Sequence, residues 1–202
     1  MRALLLVDIQ NDFLPGGALE VPDGDAVIGV ANEAIATARA EGALVVATQD
    51  AHPSDHLSFA SQHPGRQPFD VIDLAGVEQV LWPDHCVPGT EGAEFAPGLD
   101  VAAFDYVCPK GQTRTVDSYS GFFDNDRRSS TGLADWLRSR AVTDLTVLGL
   151  ATDYCVKFTV LDALSEGFAV EVLERGCRGI DMTPGDSEGA LREMSAAGAN
   201  LV

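Results

Sequence analysis

Short, unbroken runs of apolar residues, separated by segments with helical periodicity, constrain the fold of this sequence more than any other feature. The first run, residues 3–7, contains no polar residue, which is typical of a strand that is covered on both faces. Apolar residues then recur at helical spacing over residues 27–38, after Asp23 and Asp25 as candidate caps and before Gly42 as a stop. The pattern indicates a strand that is followed by a helix.

The same alternation continues to the end of the chain. Strands are predicted at residues 3–7, 43–47, 106–108, 145–149, 168–173 and 200–202, and helices at residues 27–38, 133–140, 152–166 and 186–197. Strands that alternate with helices are joined by right-handed crossovers, which produce parallel pairing and helices on both faces. The sequence therefore predicts an α/β fold with three αβα layers around a mainly parallel six-stranded sheet.

Residues 51–105 interrupt this rhythm with little periodicity of either kind. They contain 6 of the 10 prolines and all 4 histidines of the chain. A loop of this length is usually functional, and the concentration of histidines favours that interpretation over a surface excursion. A length of 202 residues suits one domain, so we expect a single domain over residues 1–202 with a long metal-site loop region at residues 51–105.

The charge balance excludes several classes of partner. The chain has 13 Lys+Arg against 31 Asp+Glu, a formal net charge of −18. A chain this acidic has few cations for phosphate contacts, so neither nucleic acid nor an anionic membrane is an expected partner. No apolar run approaches the ~20 residues of a membrane span, and Asp8 interrupts the opening run before a signal peptide could form. We expect a cytoplasmic protein without disulfides among its four cysteines.

Reactive side chains follow four of the predicted strands. Asp8 follows the first strand, Asp50 and His52 the second, Lys110 the third, and Cys155 the fourth after a short turn. Because ligands of an open parallel sheet bind outside the carboxyl ends of the strands, these groups are expected at one edge.

Cys155 lies at the predicted start of a helix. Peptide dipoles there favour an anion, so we expect a lowered thiol pKa and backbone N–H groups that can hold an oxyanion. Asp8 could take the thiol proton and return it to a leaving amine, and Lys110 could stabilise the thiolate. From position alone, a buried structural thiol is an equal alternative.

The histidines suggest a metal site. Asp50, His52 and His56 lie within seven residues, and His85 follows a rigid Trp-Pro-Asp turn. One carboxylate with two or three imidazoles suits Zn, Fe or Mn. A loop held by hydrogen bonds is the alternative for so short a pattern.

Taken together, these segments resemble a known family. The matching segments are VDIQNDFLPGGAL, TQDAHPSDHLSFAS, LWPDHCVPGTEGAEF, KGQTRTVDSYSGFFDN, GLATDYCVKFTVLDAL and GCRGIDMTPGDSEGALREMSAAGA. They resemble the nicotinamidases among the isochorismatase-like cysteine hydrolases, and the resemblance covers essentially the whole chain. The combination is specific, because relatives without a metal keep the Asp, Lys and Cys but lack the metal triad.

The resemblance implies a role for each matching residue. It implies a catalytic triad of Asp8, Lys110 and Cys155, and metal ligands at Asp50, His52 and His85, with His56 as a further candidate. It also implies an oxyanion hole from the N–H groups of Ala151 and Cys155 and a cis peptide between Leu150 and Ala151. The aromatic residues that would enclose a pyridine ring are Phe13, Trp82 and Tyr119.

The implied activity is that of an amidohydrolase in NAD salvage. Nicotinamide would be hydrolysed to nicotinate and ammonia through a cysteine thioester, with one divalent metal ion, zinc or else iron or manganese, as cofactor. The family also implies a homo-oligomer. Two alternatives remain open at this point: a metallohydrolase in which metal-bound hydroxide attacks another small amide, and a non-enzymatic metal- or ligand-binding module on the same fold.

Overall fold

The computed structural model describes residues 1–202 and contains one six-stranded, fully parallel sheet with the order β5-β2-β1-β6-β7-β8. The strands are β1 Arg2–Val7, β2 Leu44–Asp50, β3 Val71–Leu74, β4 Val77–Val80, β5 Tyr106–Lys110, β6 Asp144–Leu150, β7 Ala169–Arg178 and β8 Asn200–Leu201. The helices are α1 Ala26–Ala40, α2 Leu133–Ser139, α3 Lys157–Ser165 and α4 Asp186–Ala196. The predicted fold class and all six strands of the sheet are confirmed.

β1 lies at the centre of the sheet and is buried on both faces. Its residues from Ala3 to Val7 are all at most 3% exposed, although successive side chains point to opposite faces. The chain runs from β1 outward through β2 to β5 and then crosses to β6 on the other side of β1. The strand order therefore reverses between β1 and β6, where an open α/β sheet forms its ligand crevice.

Gly149 allows β6 to approach β1 closely at this crevice. Its φ is +136°, and a Cβ at this position would lie 2.1 Å from the carbonyl oxygen of Val7. Only glycine tolerates both the conformation and the distance. The two strands that carry Asp8 and Cys155 are thus brought together by a residue without a side chain.

The helix predicted at residues 152–166 divides into two parts. The first, Thr152–Val156, is a π-helical turn in which the N–H groups of Tyr154 and Val156 both donate to the Ala151 carbonyl, at 3.1 and 3.0 Å. Regular α-helix begins only at Lys157. π-helical turns are frequent at functional sites, and this one contains Cys155.

Residues 51–105 are more ordered than their composition predicts. β3 and β4 form an antiparallel hairpin whose turn, Ala75 and Gly76, has φ values of +56° and +87°. β3 alternates exposed and half-buried positions over only four residues, and β4 does not keep a strict alternation, so the periodicity is weak and the sequence does not predict the hairpin. No helix in the structure has both the length and the apolar character needed to cross a membrane.

Candidate active site

The carboxyl ends of four strands place the predicted reactive groups around one ammonium. Lys110 Nζ lies 2.9 Å from Asp8 Oδ2, 2.5 Å from Asp50 Oδ1 and 3.5 Å from Cys155 Sγ. It also donates to the Ser118 carbonyl at 2.8 Å. All of these side chains are buried. The structure therefore brings together the three residues of the implied triad.

The charge of Lys110 is held by its neighbours. Burial lowers the pKa of Lys110, but the Asp50 and Asp8 carboxylates outweigh it and raise that pKa well above its usual value. Burial raises the pKa of Asp50, yet Lys110 and His52 outweigh it, and the net pKa is far below its usual value. The centre of the site is thus an ammonium with an ionised Asp50.

Asp8 has one oxygen that is engaged and one that is free to accept a proton. Oδ1 accepts a hydrogen bond of 2.6 Å from the Thr48 hydroxyl. Oδ2 has Lys110 Nζ at ion-pair distance but accepts no aligned hydrogen bond, the one such atom among the buried side chains. Burial raises the pKa of Asp8, although Lys110 partly offsets it. Asp8, Asp50 and Cys155 form a compact group in which one carboxylate oxygen of each aspartate and the Cys155 sulfur lie within 4.8 Å of one another.

The expectation of a lowered thiol pKa at Cys155 is wrong. Burial raises the pKa of Cys155 well above its usual value, Lys110 offsets this only in part, and the Asp8 and Asp50 carboxylates raise it further. The dipole at a helix start does not overcome complete burial beside two carboxylates. The resting thiol is therefore protonated, and an attack by sulfur requires transfer of its proton to a base.

Asp50, His52 and His85 form a donor set that fits a divalent metal. Nδ1 of His52 lies 2.9 Å from the Gly111 carbonyl, and Nδ1 of His85 lies 2.8 Å from the Pro83 carbonyl. Because a carbonyl can only accept a hydrogen bond, each Nδ1 is assigned as the protonated nitrogen that donates to it. Both Nε2 atoms are left with a lone pair, at 3.7 and 3.9 Å from Asp50 Oδ2. Fixing the outer nitrogen in this way is the usual arrangement of metal-binding histidines.

Two further observations support this donor set. Burial lowers the pKa of His85 to about 4, so its ring is neutral and can bind a metal. Burial also lowers the pKa of His52, but the Asp50 carboxylate outweighs it and raises that pKa, so a metal at its Nε2 would displace a proton. Gly111 has φ +67°, and a Cβ there would lie 2.3 Å from the His52 ring. The glycine after Lys110 therefore leaves the space that His52 occupies.

His56 is adjacent to the donor set but engaged elsewhere. Its ring centroid lies 4.6 Å from that of His52. Its Nδ1 accepts from the Ser58 N–H at 3.1 Å, and its Nε2 donates to the Val116 carbonyl at 3.2 Å. Neither nitrogen has a free lone pair, so this arrangement leaves His56 out of the donor set.

A narrow, partly open and mostly apolar cavity lies between the thiol and the donor set. Its open volume of about 20 Å³ is that of roughly one water molecule. The peptide between Leu150 and Ala151 is cis, as the resemblance implies. The lining residues include the three aromatic residues and the two oxyanion-hole residues that the resemblance implies, and three that sequence reasoning missed: Phe13, Trp82, Tyr119, Ala151, Cys155, Leu19, Tyr154 and Ile180.

Sequence reasoning also missed the residues that hold the site from behind. Thr48 lies two positions before Asp50 on β2, so their side chains share a face of the sheet, and this spacing could have identified it. Asp117 lies two positions before Tyr119 in a segment already singled out, and it lines the cavity. Gln79 lies on the hairpin that was not predicted, and no pattern in the sequence points to it.

Comparison with known proteins shows which proteins this chain is similar to. The family described as "Isochorismatase domain" matches residues 2–202. The nicotinamidase of Escherichia coli (strain K12) is 56% identical over 200 residues, which are 99% of this chain and 93% of that protein. The solved "Acinetobacter baumanii nicotinamidase pyrazinamidease" has a TM-score of 0.94 at 43% identity, over 100% of this chain and 95% of that one. The pyrazinamidase of Pyrococcus horikoshii, solved in complex with zinc, has a TM-score of 0.81 at 40% identity, over 100% and 98%.

Proposed function

The chain belongs to the isochorismatase domain family, and from this premise we propose that it hydrolyses nicotinamide to nicotinate and ammonia. The observation that carries the proposal is the combination of two groups at one cavity. A buried thiol with a carboxylate and an ammonium lies on one side, and a carboxylate with two imidazoles lies on the other. The first group suits acyl transfer from an amide, and the second suits a ring with a basic nitrogen.

The reaction begins with a proton transfer, because the resting thiol is neutral. Asp8 Oδ2 takes the Cys155 proton while Lys110 stabilises the thiolate that forms. Sulfur then bonds to the carboxamide carbon, and the carbonyl electrons move to oxygen. The N–H groups of Ala151 and Cys155 hold this oxyanion.

Asp8 next acts as the acid. It returns its proton to the amide nitrogen as the C–N bond breaks, which releases ammonia and leaves a thioester on Cys155. A water molecule, deprotonated by the same carboxylate, attacks the thioester carbon. The C–S bond breaks, sulfur regains a proton, and nicotinate is released.

Asp50, His52 and His85 would hold one divalent ion, which we propose to be zinc, with iron or manganese as alternatives. The ion would bind the pyridine nitrogen and orient the ring. Phe13, Trp82 and Tyr119 enclose the ring from the sides. The zinc complex of the Pyrococcus horikoshii relative supports the choice of metal.

The pathway and the assembly are also part of the proposal. The reaction is a step of NAD salvage in the cytoplasm, with nicotinamide as the small-molecule partner. The chain forms a single domain over residues 1–202 and acts as a homo-oligomer. The net charge of −18 supports the prediction that neither nucleic acid nor an anionic membrane is a partner.

An ammonia-release assay on nicotinamide, before and after chelation, tests the proposed function. We expect turnover by the purified chain, loss on chelation and recovery on adding back zinc, iron or manganese. Full activity after verified metal removal would contradict the role of the metal. No ammonia from nicotinamide or a related pyridine or pyrazine carboxamide, with metal present, would contradict the activity itself.

A further inference from the structure

Gln79 is a fully buried amide on a hairpin that is otherwise half-exposed. Its side chain on β4 is 1% exposed. Its Nε2 donates to Asp117 Oδ2 at 2.8 Å and to the carbonyl of the next residue, Val80, at 2.7 Å. The Tyr119 hydroxyl lies 3.3 Å from the same nitrogen. A buried amide is retained where its hydrogen bonds are satisfied, and here they fasten the hairpin to the cavity wall.

Asp117 receives the hydrogen bond from Gln79 and is fixed at both oxygens. It is 2% exposed and lines the cavity. While Gln79 holds Oδ2, Oδ1 accepts the Ser118 N–H at 2.7 Å and lies 3.9 Å from Nε2 of His52. The carboxylate thus presents Oδ1 to the same imidazole nitrogen that carries the lone pair for a metal.

The position of Asp117 is next to the donor set but outside it. Its ligand oxygen lies within 4.8 Å of the ligand atoms of His52 and His56, whereas the compact group around Asp50 and His85 does not include it. His56 is already engaged at both nitrogens. No lysine or arginine pairs with the carboxylate, and its one ion-pair partner is the His52 imidazole at 3.9 Å, so an ion bound at that nitrogen would lie beside Asp117.

We propose that Asp117 is a positioning carboxylate for the metal centre: it accepts a hydrogen bond from a water on the ion instead of binding the ion, and Gln79 holds it in place. A second carboxylate beside Asp50 also balances the charge of a divalent ion. Outer groups of this kind tune metal affinity. This inference rests on the proposed function, because it requires that Asp50, His52 and His85 bind the ion.

Zinc affinity, measured on the metal-free full chain by competition with a chromogenic chelator, tests the inference. Asp117→Asn keeps the size of the side chain and an acceptor for Ser118, and we expect it to weaken Zn²⁺ binding by about 10- to 100-fold. Gln79→Met keeps the volume but removes the hydrogen bond that holds Asp117, and we expect it to weaken Zn²⁺ binding by about 3- to 10-fold. Glu78→Gln removes a charge from an exposed position on the same strand, and we expect a change below about twofold.

Two further readouts separate positioning from a general loss of structure. Because Gln79 acts through Asp117, the double variant that combines Gln79→Met with Asp117→Asn should bind Zn²⁺ no more weakly than Asp117→Asn alone. Because Asp117 does not bind the ion, the visible absorption of the Co²⁺-loaded chain should keep its intensity in Asp117→Asn. The melting temperature of each metal-free variant shows that the fold is retained.

The outcomes that overturn the inference differ from those that overturn the proposed metal centre. Zinc binding by Asp117→Asn within twofold of wild type would overturn the inference and leave the metal centre intact. A large change in Co²⁺ absorption intensity would make Asp117 a direct ligand and overturn it as well. If wild type bound Zn²⁺ no more tightly than Asp50→Ala, this result would contradict the proposed metal centre, and it would overturn the inference about Asp117 as well.

Discussion

The two oxygens of Asp8 have different surroundings, and this difference decides which atom is the base. The Thr48 hydroxyl donates to Oδ1, while Oδ2 has Lys110 Nζ at 2.9 Å but accepts no aligned hydrogen bond, so it keeps a lone pair that can receive a proton. The Thr48 hydroxyl also accepts the Asp8 N–H at 3.2 Å, which fixes the backbone where φ is +47°. The threonine therefore orients the base and lowers its pKa against the effect of burial.

Thr48→Val tests this role through the pH profile. Burial raises the pKa of Asp8, so we expect kcat/KM to fall with decreasing pH at a value above that of an ordinary aspartate. The Thr48 hydrogen bond lowers this pKa, so its removal should move the acid limb to higher pH, with a plateau reduced by less than about tenfold. Thr37→Val, on the exposed face of α1, is the control. An acid limb unchanged in Thr48→Val would contradict the assignment.

At the scale of elements, the π-helical turn and the loop after β7 act as one unit. Asp153, two residues before the thiol, accepts the N–H groups of Ile180 and Asp181 at 3.0 and 2.8 Å. Ile180 in turn lines the cavity. The carboxylate therefore connects the turn that carries Cys155 to the loop that closes the pocket around it.

Removal of this connection should affect both binding and stability. In Asp153→Ala we expect KM for nicotinamide to rise and the free energy of unfolding to fall by about 1–3 kcal/mol, because two backbone N–H groups lose a charged acceptor. Urea unfolding and steady-state kinetics measure the two effects. Glu188→Ala, an exposed carboxylate on α4, should change neither. Unchanged kinetics and stability in Asp153→Ala would show that the connection is dispensable.

The strand that the sequence predicts most directly is the one with the most uniform burial. β1 is apolar from Ala3 to Val7 because it is covered on both faces, so five consecutive residues are enough to identify it. The β3–β4 hairpin was not predicted, because its alternation is weak and its buried position at Gln79 is polar. β7 extends to Arg178, beyond the predicted end at residue 173, and its pairing with β6 shifts register between Val147 and Gly149.

The site shows a similar division. Positions at strand ends follow from topology, so Asp8, Asp50, Lys110 and Cys155 were predicted to converge, and the structure brings them together. The raised pKa of Cys155 could not be predicted from the sequence, because it results from burial, and burial depends on packing between distant segments. Contacts between distant segments, such as that of Gln79 with Asp117, are equally invisible before the chain is folded.

For the whole molecule, the net charge of −18 distinguishes substrate from product. Nicotinamide is neutral, whereas nicotinate is an anion that an acidic protein repels over a distance set by salt. Lys110 is paired with both Asp8 and Asp50, so its positive charge does not offset the acidity of the chain as a whole. Repulsion should therefore favour the exit of product.

Product inhibition at two ionic strengths tests this effect. Between about 0.01 and 0.15 M salt the screening length falls from about 30 to 8 Å, so we expect nicotinate to inhibit more strongly at high salt, by about twofold or more. KM for the neutral substrate serves as the internal control and should stay constant. An inhibition constant that does not change with salt would contradict the effect.

The central claim is that Cys155 carries the acyl group, and rapid acid quenching during turnover tests it most directly. Mass spectrometry of the quenched chain should show an added nicotinoyl group, and peptide mapping should place it on Cys155. Cys155→Ala should show no adduct and less than about a thousandth of wild-type kcat. An active chain without an adduct on Cys155, or substantial turnover by Cys155→Ala, would contradict the account and favour attack by metal-bound hydroxide.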